Sequence, residues 1–307
     1  MTTAPLTFIR GRKRRPDALP RQPKPEWLKV RAPGSENYLR LKGLMRSLDL
    51  HTVCEEANCP NIGECWHHGT ATLMILGDTC TRSCGYCNVT HGTPKPPDPA
   101  EPVKVATAIQ AMGLAHVVVT SVDRDDLADF GASHFANTIR ETRERSPSCR
   151  IEVLIPDFQG NEAALRVVLD ARPDILNHNI ETVPRLYRAA RPGGRYARAL
   201  ELLDRARTYA PQVPTKSGLM VGLGEEWHEV VQTLHDLRDA GCRIVTIGQY
   251  LRPSAANLPM ARYYTPSEFA ELRHLGLEMG FGHVESGPLV RSSYHAEGQI
   301  LFLARLS

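Results

Sequence analysis

Short apolar runs rich in β-branched residues recur along the middle of the chain, and segments with the periodicity of amphipathic helices separate them. The apolar runs predict six strands, at residues 72–76, 115–121, 150–155, 174–179, 216–221 and 242–249. The other segments predict helices at residues 103–112, 133–145, 161–171, 184–190 continuing into 197–209, 226–240 and 266–280. Strands that alternate with helices imply a parallel sheet, so the predicted fold class is α/β.

A polar motif follows each predicted strand. The motifs occupy residues 78–87, 123–126, 156–158, 181, 222–225 and 250–254. In parallel α/β folds the carboxyl ends of the strands carry the active site, so we expect these six polar loops to meet at one mouth. We therefore predict a partial (β/α)6 TIM-like barrel rather than a doubly wound open sheet.

The barrel pattern divides the chain into four predicted regions. Residues 1–24 form a basic arm, residues 25–70 an N-terminal extension, residues 71–255 the barrel, and residues 256–307 a C-terminal extension that closes the barrel. Residues 1–31 contain nine Lys or Arg against Asp17 and Glu26, although the formal net charge of the whole chain is only +3. Several prolines and little apolar periodicity predict that the arm is flexible and solvated.

The composition argues against several classes of protein. No apolar stretch is long enough for a transmembrane span, and none follows the basic residues 10–15 as it would in a secretory signal. A cytoplasmic location is therefore expected, with organelle targeting left open. The basic arm has no supporting aromatic platform, so we expect no nucleic-acid partner.

Six of the eight cysteines fall into two triplets: Cys54, Cys59 and Cys65, then Cys80, Cys84 and Cys87. A disulfide framework is disfavoured, because a chain of this length without a secretory signal needs no such bridges. A structural zinc site would require paired Cys-x-x-Cys motifs or added histidines, and only Cys84 and Cys87 have that spacing. Each triplet instead predicts a metal cluster that is one protein ligand short of four, which leaves a position open for chemistry.

The two triplets differ in spacing. The second is a Cys-x3-Cys-x2-Cys run, whose positions could share one face of a helix, but the glycines and polar residues around it favour a loop that wraps one cluster. The first is a Cys-x4-Cys-x5-Cys run, and this spacing would scatter its thiols around a helix axis. They converge only if the segment is irregular, and Pro60 and Gly63 are expected to provide the breaks.

The second triplet, with Tyr86 before its last cysteine, resembles the signature of the radical S-adenosylmethionine superfamily. The resemblance implies that Cys80, Cys84 and Cys87 hold three irons of a [4Fe-4S] cluster, and that the fourth iron binds S-adenosylmethionine. It also implies that this cofactor is cleaved to a 5'-deoxyadenosyl radical, which removes hydrogen from an unactivated carbon. Within this resemblance, Tyr86, Asn179 and Glu181 are the positions expected to contact S-adenosylmethionine.

Longer strings resemble the lipoyl synthase family, and the likeness runs from about residue 25 to residue 296. The strings are His51-Thr-Val-Cys54-Glu-Glu-Ala-Asn-Cys59-Pro-Asn, Gly77-Asp-Thr-Cys80-Thr-Arg, and residues 124–127, 154–157, 179–182, 222–225, 249–254 and 287–294. The resemblance implies an auxiliary [4Fe-4S] cluster on Cys54, Cys59 and Cys65, with Ser293 as its labile fourth ligand and with the cluster as sulfur donor. Without the resemblance, adjacent serines would indicate a turn or a helix cap.

The resemblance also implies an activity and a set of partners. The activity is that of a sulfurtransferase that inserts two sulfur atoms at C6 and C8 of a protein-bound octanoyl-lysine. Three partners are implied. The substrate is an octanoylated lipoyl carrier domain, from a 2-oxoacid dehydrogenase E2 component or a glycine cleavage H protein. The other two partners are a low-potential electron donor such as ferredoxin or flavodoxin, and an iron–sulfur carrier that rebuilds the auxiliary cluster. We expect the basic arm to help dock an acidic carrier domain.

Two alternatives stay open at the level of the sequence. A methylthiotransferase also pairs a radical cluster with a second three-cysteine cluster, although that group usually carries further domains for which this chain has no room. An electron carrier that shuttles through two clusters is an alternative of a different class, and it predicts four protein ligands for each cluster.

Overall fold

The computed structural model describes residues 23–30, 33–56, 59–67, 72–292 and 294. The basic arm predicted for residues 1–24 therefore lies almost entirely outside the described residues. Ser293, the predicted serine ligand, also lies outside them.

Ten strands occur within the described residues: β1 (His51–Thr52), β2 (Thr72–Ile75), β3 (Thr79–Cys80), β4 (Thr90–His91), β5 (His116–Ser121), β6 (Arg150–Leu154), β7 (Ile175–Asn177), β8 (Thr215–Val221), β9 (Ile244–Gln249) and β10 (His283–Gly287). Eight of them form one sheet in the spatial order β1, β2, β5, β6, β7, β8, β9, β10. The edge strand β1 is antiparallel to β2, and every other neighbouring pair in this sheet is parallel. β3 and β4 pair separately from it.

The helices of the described residues are α1 (Glu36–Ser47), α2 (Val53–Glu56), α3 (Ile62–His67), α4 (Glu101–Met112), α5 (Ala132–Arg145), α6 (Glu162–Asp170), α7 (Tyr187–Ala190), α8 (Tyr196–Tyr209), α9 (Trp227–Asp239) and α10 (Pro266–Glu278). Short 3-10 helices occur at Glu26–Leu28, Phe158–Gly160 and Pro184–Leu186. Helices follow β5, β6, β7, β8 and β9 in turn, which is the repeating unit of a (β/α) barrel. The predicted partial barrel is confirmed.

All six predicted strands are present, and their ends agree to within two residues. The helix predicted to continue from residue 184 to residue 209 is instead divided by a turn after α7. Pro192 disfavours helical geometry at Arg191, whose φ and ψ are −129° and 70°, and Gly193 adopts a φ of 86°. The sheet also contains β10, which the sequence did not predict because His283-Val-Glu-Ser-Gly287 has little apolar character.

Two apolar cores lie between the sheet and its helices. One includes Ile151 and Val153 of β6, and the other includes Leu219 of β8. Alternate side chains of a strand point to opposite faces, so Glu152 and Lys216 point to the barrel interior. Their fully buried ion pair, with an Nζ–Oε1 distance of 2.9 Å, lies near the amino-terminal end of β8, on the side away from the mouth.

Among the helices of the described residues, none has both the length and the apolar character that crossing a bilayer requires.

Candidate active site

The second cysteine triplet lies in the loop after β2, at the carboxyl end of the sheet. Cys80 ends β3, and Cys84 and Cys87 lie in the turns that follow, where Cys87 N donates to Cys84 O at 3.1 Å. All three thiols are half-buried and free of disulfides. Burial raises the pKa of Cys80 to about 11 and that of Cys84 to about 12, and negative charge on Asp123 and Cys87 adds to both shifts. The predicted loop is confirmed, and the alternative of a helix face is wrong.

Arg82 ties this loop to the ends of two neighbouring strands. Its Nε and Nη2 atoms donate to the two carboxylate oxygens of Asp125 at 2.7 and 2.8 Å, and Nη2 also donates to Asp157 Oδ1 at 2.7 Å. Its Nη1 atom lies 3.3 Å from Asp123 Oδ1. Asp125 follows β5 and Asp157 follows β6, so one buried guanidinium fixes the cysteine loop to the mouth of the barrel.

The three positions expected to contact S-adenosylmethionine lie together beside Cys84. Burial raises the pKa of Glu181, while Arg191, Asn179 and Tyr86 favour its ionised form. Burial also raises the pKa of Tyr86 well above its usual value, and the charges of Glu181 and Cys84 add to this effect. The structure therefore brings these side chains to one corner of the mouth, and their contact with a cofactor stays a prediction.

Arg191 faces the same corner. Its Nη1 atom donates to Asn179 O at 3.0 Å and to the Tyr187 hydroxyl at 3.2 Å, and it forms no salt bridge within the part of the chain that the structure describes. Burial opposes the charge of Arg191, whereas neighbouring groups that include the Glu181 and Asp123 carboxylates raise its pKa well above the usual value. Positive and negative side chains therefore compensate each other at this corner.

The first cysteine triplet is distributed over two short helices. Cys54 lies in α2, Cys65 in α3, and Cys59 between them, where Cys59 N donates to Cys54 O at 3.0 Å. The predicted irregular segment is confirmed, and Pro60 lies in the break. Gly63 was expected to break the helix as well, but it lies inside α3, because the α3 hydrogen bonds already begin at Asn61, whose carbonyl oxygen accepts from Cys65 N at 2.9 Å.

In this triplet, the pKa values of Cys54 and Cys59 depend on burial and on nearby charges, including Arg291. Burial raises the pKa of Cys54 to about 12, and negative charge on Cys59 adds to that shift. Burial also raises the pKa of Cys59, whereas the nearby Arg291 guanidinium opposes this shift. Arg291 forms no salt bridge within the described residues, and its Nη1 atom donates to Val290 O at 2.6 Å.

Residues 289–292 and 294, which we call the C-terminal docking segment, contact both the barrel and the first triplet. The Asn61 amide donates to Leu289 O at 2.7 Å, and the Tyr294 hydroxyl lies 3.3 and 3.4 Å from the carboxylate oxygens of Glu64. The Asn179 amide and the Ser292 hydroxyl exchange hydrogen bonds of 2.9 and 3.1 Å. Ser293 is not described, so its part in a cluster stays a prediction.

The two cysteine motifs are in direct contact. Asn88, next to Cys87, donates from its amide to Glu56 O at 3.0 Å, and Glu56 lies two residues beyond Cys54. Segments that are separate in the sequence therefore form one continuous site at the mouth of the barrel.

The donor sets of both motifs suit [4Fe-4S] clusters. Each motif contains three cysteines and has a guanidinium near one of them, and a cation compensates the negative charge of a thiolate-ligated cluster. Within the described ranges, no three His, Cys, Asp or Glu side chains converge on a single metal ion. A cubane cluster does not require such convergence, since its thiolates bind different irons.

Sequence reasoning did not identify Arg82, Arg191 or Arg291 as parts of the site. Arg82 lies inside the second cysteine motif and Arg291 lies two residues before the predicted ligand Ser293, so a charge next to predicted metal ligands was an available signal. Arg191 precedes Pro192-Gly-Gly194 in a loop far from either motif, and only the fold brings it to Cys84.

Two family models match the chain. The model of the radical SAM superfamily matches residues 74–237, and the model of the N-terminal domain of lipoyl synthase matches residues 7–59. The crystal structure of methylornithine synthase shares the fold, with a TM-score of 0.53 at 13% identity over 83% of this chain and 79% of that one.

Curated relatives are much more similar in sequence. The lipoyl synthase of Rubrobacter xylanophilus is 61% identical over 91% of this chain and 87% of its own length. The lipoyl synthase of Koribacter versatilis is 58% identical over 92% of this chain and 94% of its own length. With this identity across nearly the whole chain, and with both cysteine motifs joined at one barrel mouth, the chain belongs to the lipoyl synthase family of the radical S-adenosylmethionine superfamily.

Proposed function

We propose that the protein inserts two sulfur atoms at C6 and C8 of an octanoyl group that is amide-linked to a lysine of a carrier protein. The reaction is that of a sulfurtransferase, and it requires S-adenosylmethionine and two [4Fe-4S] clusters. The observation that carries the proposal is the direct contact between the two three-cysteine motifs at the mouth of the barrel. A sulfur source and a radical source must reach the same substrate carbon, so the two motifs have to lie side by side.

The chain's own residues would hold these groups. When bound, the clusters and S-adenosylmethionine supply an electron, a hydrogen-abstracting radical and sulfur. We assign the radical cluster to the second triplet and the auxiliary cluster to the first triplet with Ser293. A serine alkoxide is a harder and more exchangeable ligand of iron than a thiolate, which supports Ser293 as the labile ligand.

Tyr86, Asn179 and Glu181 would orient S-adenosylmethionine. The Asn179 amide offers a donor and an acceptor, and the Glu181 carboxylate offers acceptors for hydroxyl or amino groups. The φ of Glu181 is 69°, which is uncommon for a residue other than glycine. Its N–H donates to Gly218 O at 3.0 Å and its carbonyl oxygen accepts from Met220 N at 2.8 Å, so β8 holds this backbone conformation in place.

Anaerobic reconstitution tests the proposal. The protein is loaded with iron and sulfide, its iron is counted, and it is incubated with dithionite, S-adenosylmethionine and an octanoylated carrier domain. We expect about eight irons per chain, with formation of 5'-deoxyadenosine and of a lipoylated product. About four irons, or the absence of 5'-deoxyadenosine, would contradict the proposal. About eight irons without 5'-deoxyadenosine would favour the electron carrier with two clusters.

A serine variant tests the assigned ligand separately. Ser293→Ala should keep the formation of 5'-deoxyadenosine and lose the lipoylated product, because only the auxiliary site is changed. Ser148→Ala is the control, since it removes an exposed hydroxyl in the turn before β6, away from both cysteine motifs. Full sulfur insertion by Ser293→Ala would exclude the role assigned to that residue.

We further propose the partners that the reaction needs. These are an octanoylated lipoyl carrier domain, a low-potential donor such as ferredoxin or flavodoxin, and an iron–sulfur carrier that rebuilds the auxiliary cluster. We also propose that the protein works in the cytoplasm, because eight cysteines without a disulfide and exchangeable clusters suit a reducing compartment. Deleting residues 1–20 and measuring carrier affinity at low salt would test the docking role of the basic arm, since unchanged affinity would rule it out.

A further inference from the structure

The C-terminal docking segment is held by one turn of helix that also carries an auxiliary cysteine. Asn61 and Glu64 contact Leu289 and Tyr294, and Cys65 follows Glu64 in α3. Residues three and four apart lie on the same face of a helix, so Asn61, Glu64 and Cys65 share one face. The docking segment therefore lies over the face that presents the Cys65 thiol.

We propose that Asn61 is a positioning residue that holds the C-terminal docking segment over Cys65. The Tyr294 hydroxyl, through Glu64, holds the other end of the same segment. The importance of this contact for the auxiliary cluster rests on the proposed function, whereas the contact itself does not.

The burial of Asn61 supports a positioning role. The side chain is 1% exposed, and its amide reaches a carbonyl oxygen 228 residues away in the sequence. Its Oδ1 atom has no hydrogen-bond partner among the described residues. A buried amide that is only half satisfied is a poor source of stability, because an apolar residue of the same size would avoid the cost. What the amide provides is the link to Leu289.

Gly248 shows how closely the docking segment follows the barrel. A Cβ atom at this position in β9 would lie 2.2 Å from Val290 O, which is far inside van der Waals contact. The backbone of the segment thus runs directly against the sheet, in space that only glycine leaves free. Substitution of Gly248 would displace the segment without changing the side chains of Asn61 or Glu64.

Hydrogen exchange in the metal-free protein tests the contact without any cluster. The amides of Val290 and Tyr294 report on the segment, because they donate to Gly287 O at 3.1 Å and to Arg291 O at 2.9 Å. Asn61→Leu should accelerate their exchange by roughly tenfold, the scale expected for loss of one buried hydrogen bond. Tyr294→Phe and Gly248→Ala should accelerate exchange in the same peptide.

Two control variants separate this effect from general destabilisation. Asn137→Ala changes an exposed residue of α5 and should alter no exchange rate. Asn257→Ala removes an analogous bond at the other cysteine motif, where the Asn257 amide donates to Cys87 O at 2.7 Å. It should accelerate exchange around Cys87 and leave residues 287–294 unchanged.

Reconstitution links the contact to the auxiliary site. Asn61→Leu should lose about half of the bound iron and still form 5'-deoxyadenosine, because the second triplet is untouched. Unchanged exchange at Val290 and Tyr294 in Asn61→Leu would overturn the proposal. If that variant fails to fold, unchanged exchange at Val290 in Tyr294→Phe would overturn it instead. A wild-type protein that makes no lipoylated product would refute the proposed function and leave the docking result standing.

Discussion

Replacing Arg82 with methionine should strongly destabilise the cysteine loop. Arg82 is 7% exposed, and its guanidinium contacts carboxylates that follow two different strands. Methionine keeps the apolar stem of the side chain and removes the charge. The variant leaves Asp157, which is 2% exposed, with Arg198 as its remaining ion-pair partner at 3.0 Å and with the Gln159 N–H as a hydrogen-bond donor at 3.1 Å.

The expected loss follows from the burial of this network. Removing one partner of a buried ion pair typically costs about 3–5 kcal/mol, because the other charge stays buried without compensation. Arg198 still pairs with Asp157 and Asp125 is partly exposed, so we expect the lower part of that range, about 3 kcal/mol. Arg82→Lys should lie between the wild type and Arg82→Met, since lysine cannot form the bidentate contact with Asp125.

The free energy of unfolding should be measured by urea titration of the metal-free protein. Although burial opposes ionisation, the Arg82 guanidinium holds the pKa of Asp157 well below its usual range. A depressed carboxyl pKa contributes stability above the unfolded-state value of about 4, and this contribution is lost as the pH falls further. The difference between wild type and Arg82→Met should therefore be largest near neutral pH and should shrink below about pH 4.

Arg185 provides the matched control. It makes a bidentate contact with Glu229 at 2.7 and 2.8 Å, but its side chain is 53% exposed. Water and salt screen such a pair, so Arg185→Met should cost much less than Arg82→Met. Equal losses for the two variants, or a loss for Arg82→Met that does not change between pH 7 and pH 3, would refute the reasoning.

Three further predictions concern single positions. Gly131→Ala should lower the free energy of unfolding by about 1–3 kcal/mol, because the φ of Gly131 is 84° and a Cβ atom would lie 2.3 Å from Leu76 Cδ1. Gly43→Ala is the control in the same urea titration and should not destabilise the protein, because a Cβ atom at this position in α1 would have no neighbour within 4 Å. Burial lowers the pKa of His178 to about 3, so the free energy of unfolding should fall by about 1.4 kcal/mol per pH unit as the pH drops below about 6.5. His178→Gln should flatten this pH dependence, and equal slopes for the variant and the wild type would contradict the assignment. Glu181→Gln should raise the KM for S-adenosylmethionine by roughly tenfold at unchanged iron content, and an unchanged KM in the 5'-deoxyadenosine assay would remove Glu181 from the cofactor site.

The sequence predicted the barrel because its strands are buried on both faces, by the helices outside and by the packed interior, and therefore carry continuous apolar runs. β5, with His116-Val-Val-Val-Thr-Ser121, shows this pattern clearly. β10 lacks this pattern, since Val284 is its only buried residue and its other side chains are polar or absent. Its place in the sheet depends on pairing with β9. The turn after α7 could have been predicted from Pro192, whose effect on the preceding residue is local.

The sequence by itself also determined the chemistry of the site. The spacing of the cysteines, the glycines around them and the family strings are local features, so they could be read without coordinates. The tertiary structure decided which distant groups meet. Arg191 faces Cys84, Asn88 joins the two cysteine motifs, and Asn61 holds Leu289, because these contacts link segments that have no local relation in the chain. Local patterns fix the donors that a site contains, and only long-range packing fixes the charges and hydrogen bonds that surround them.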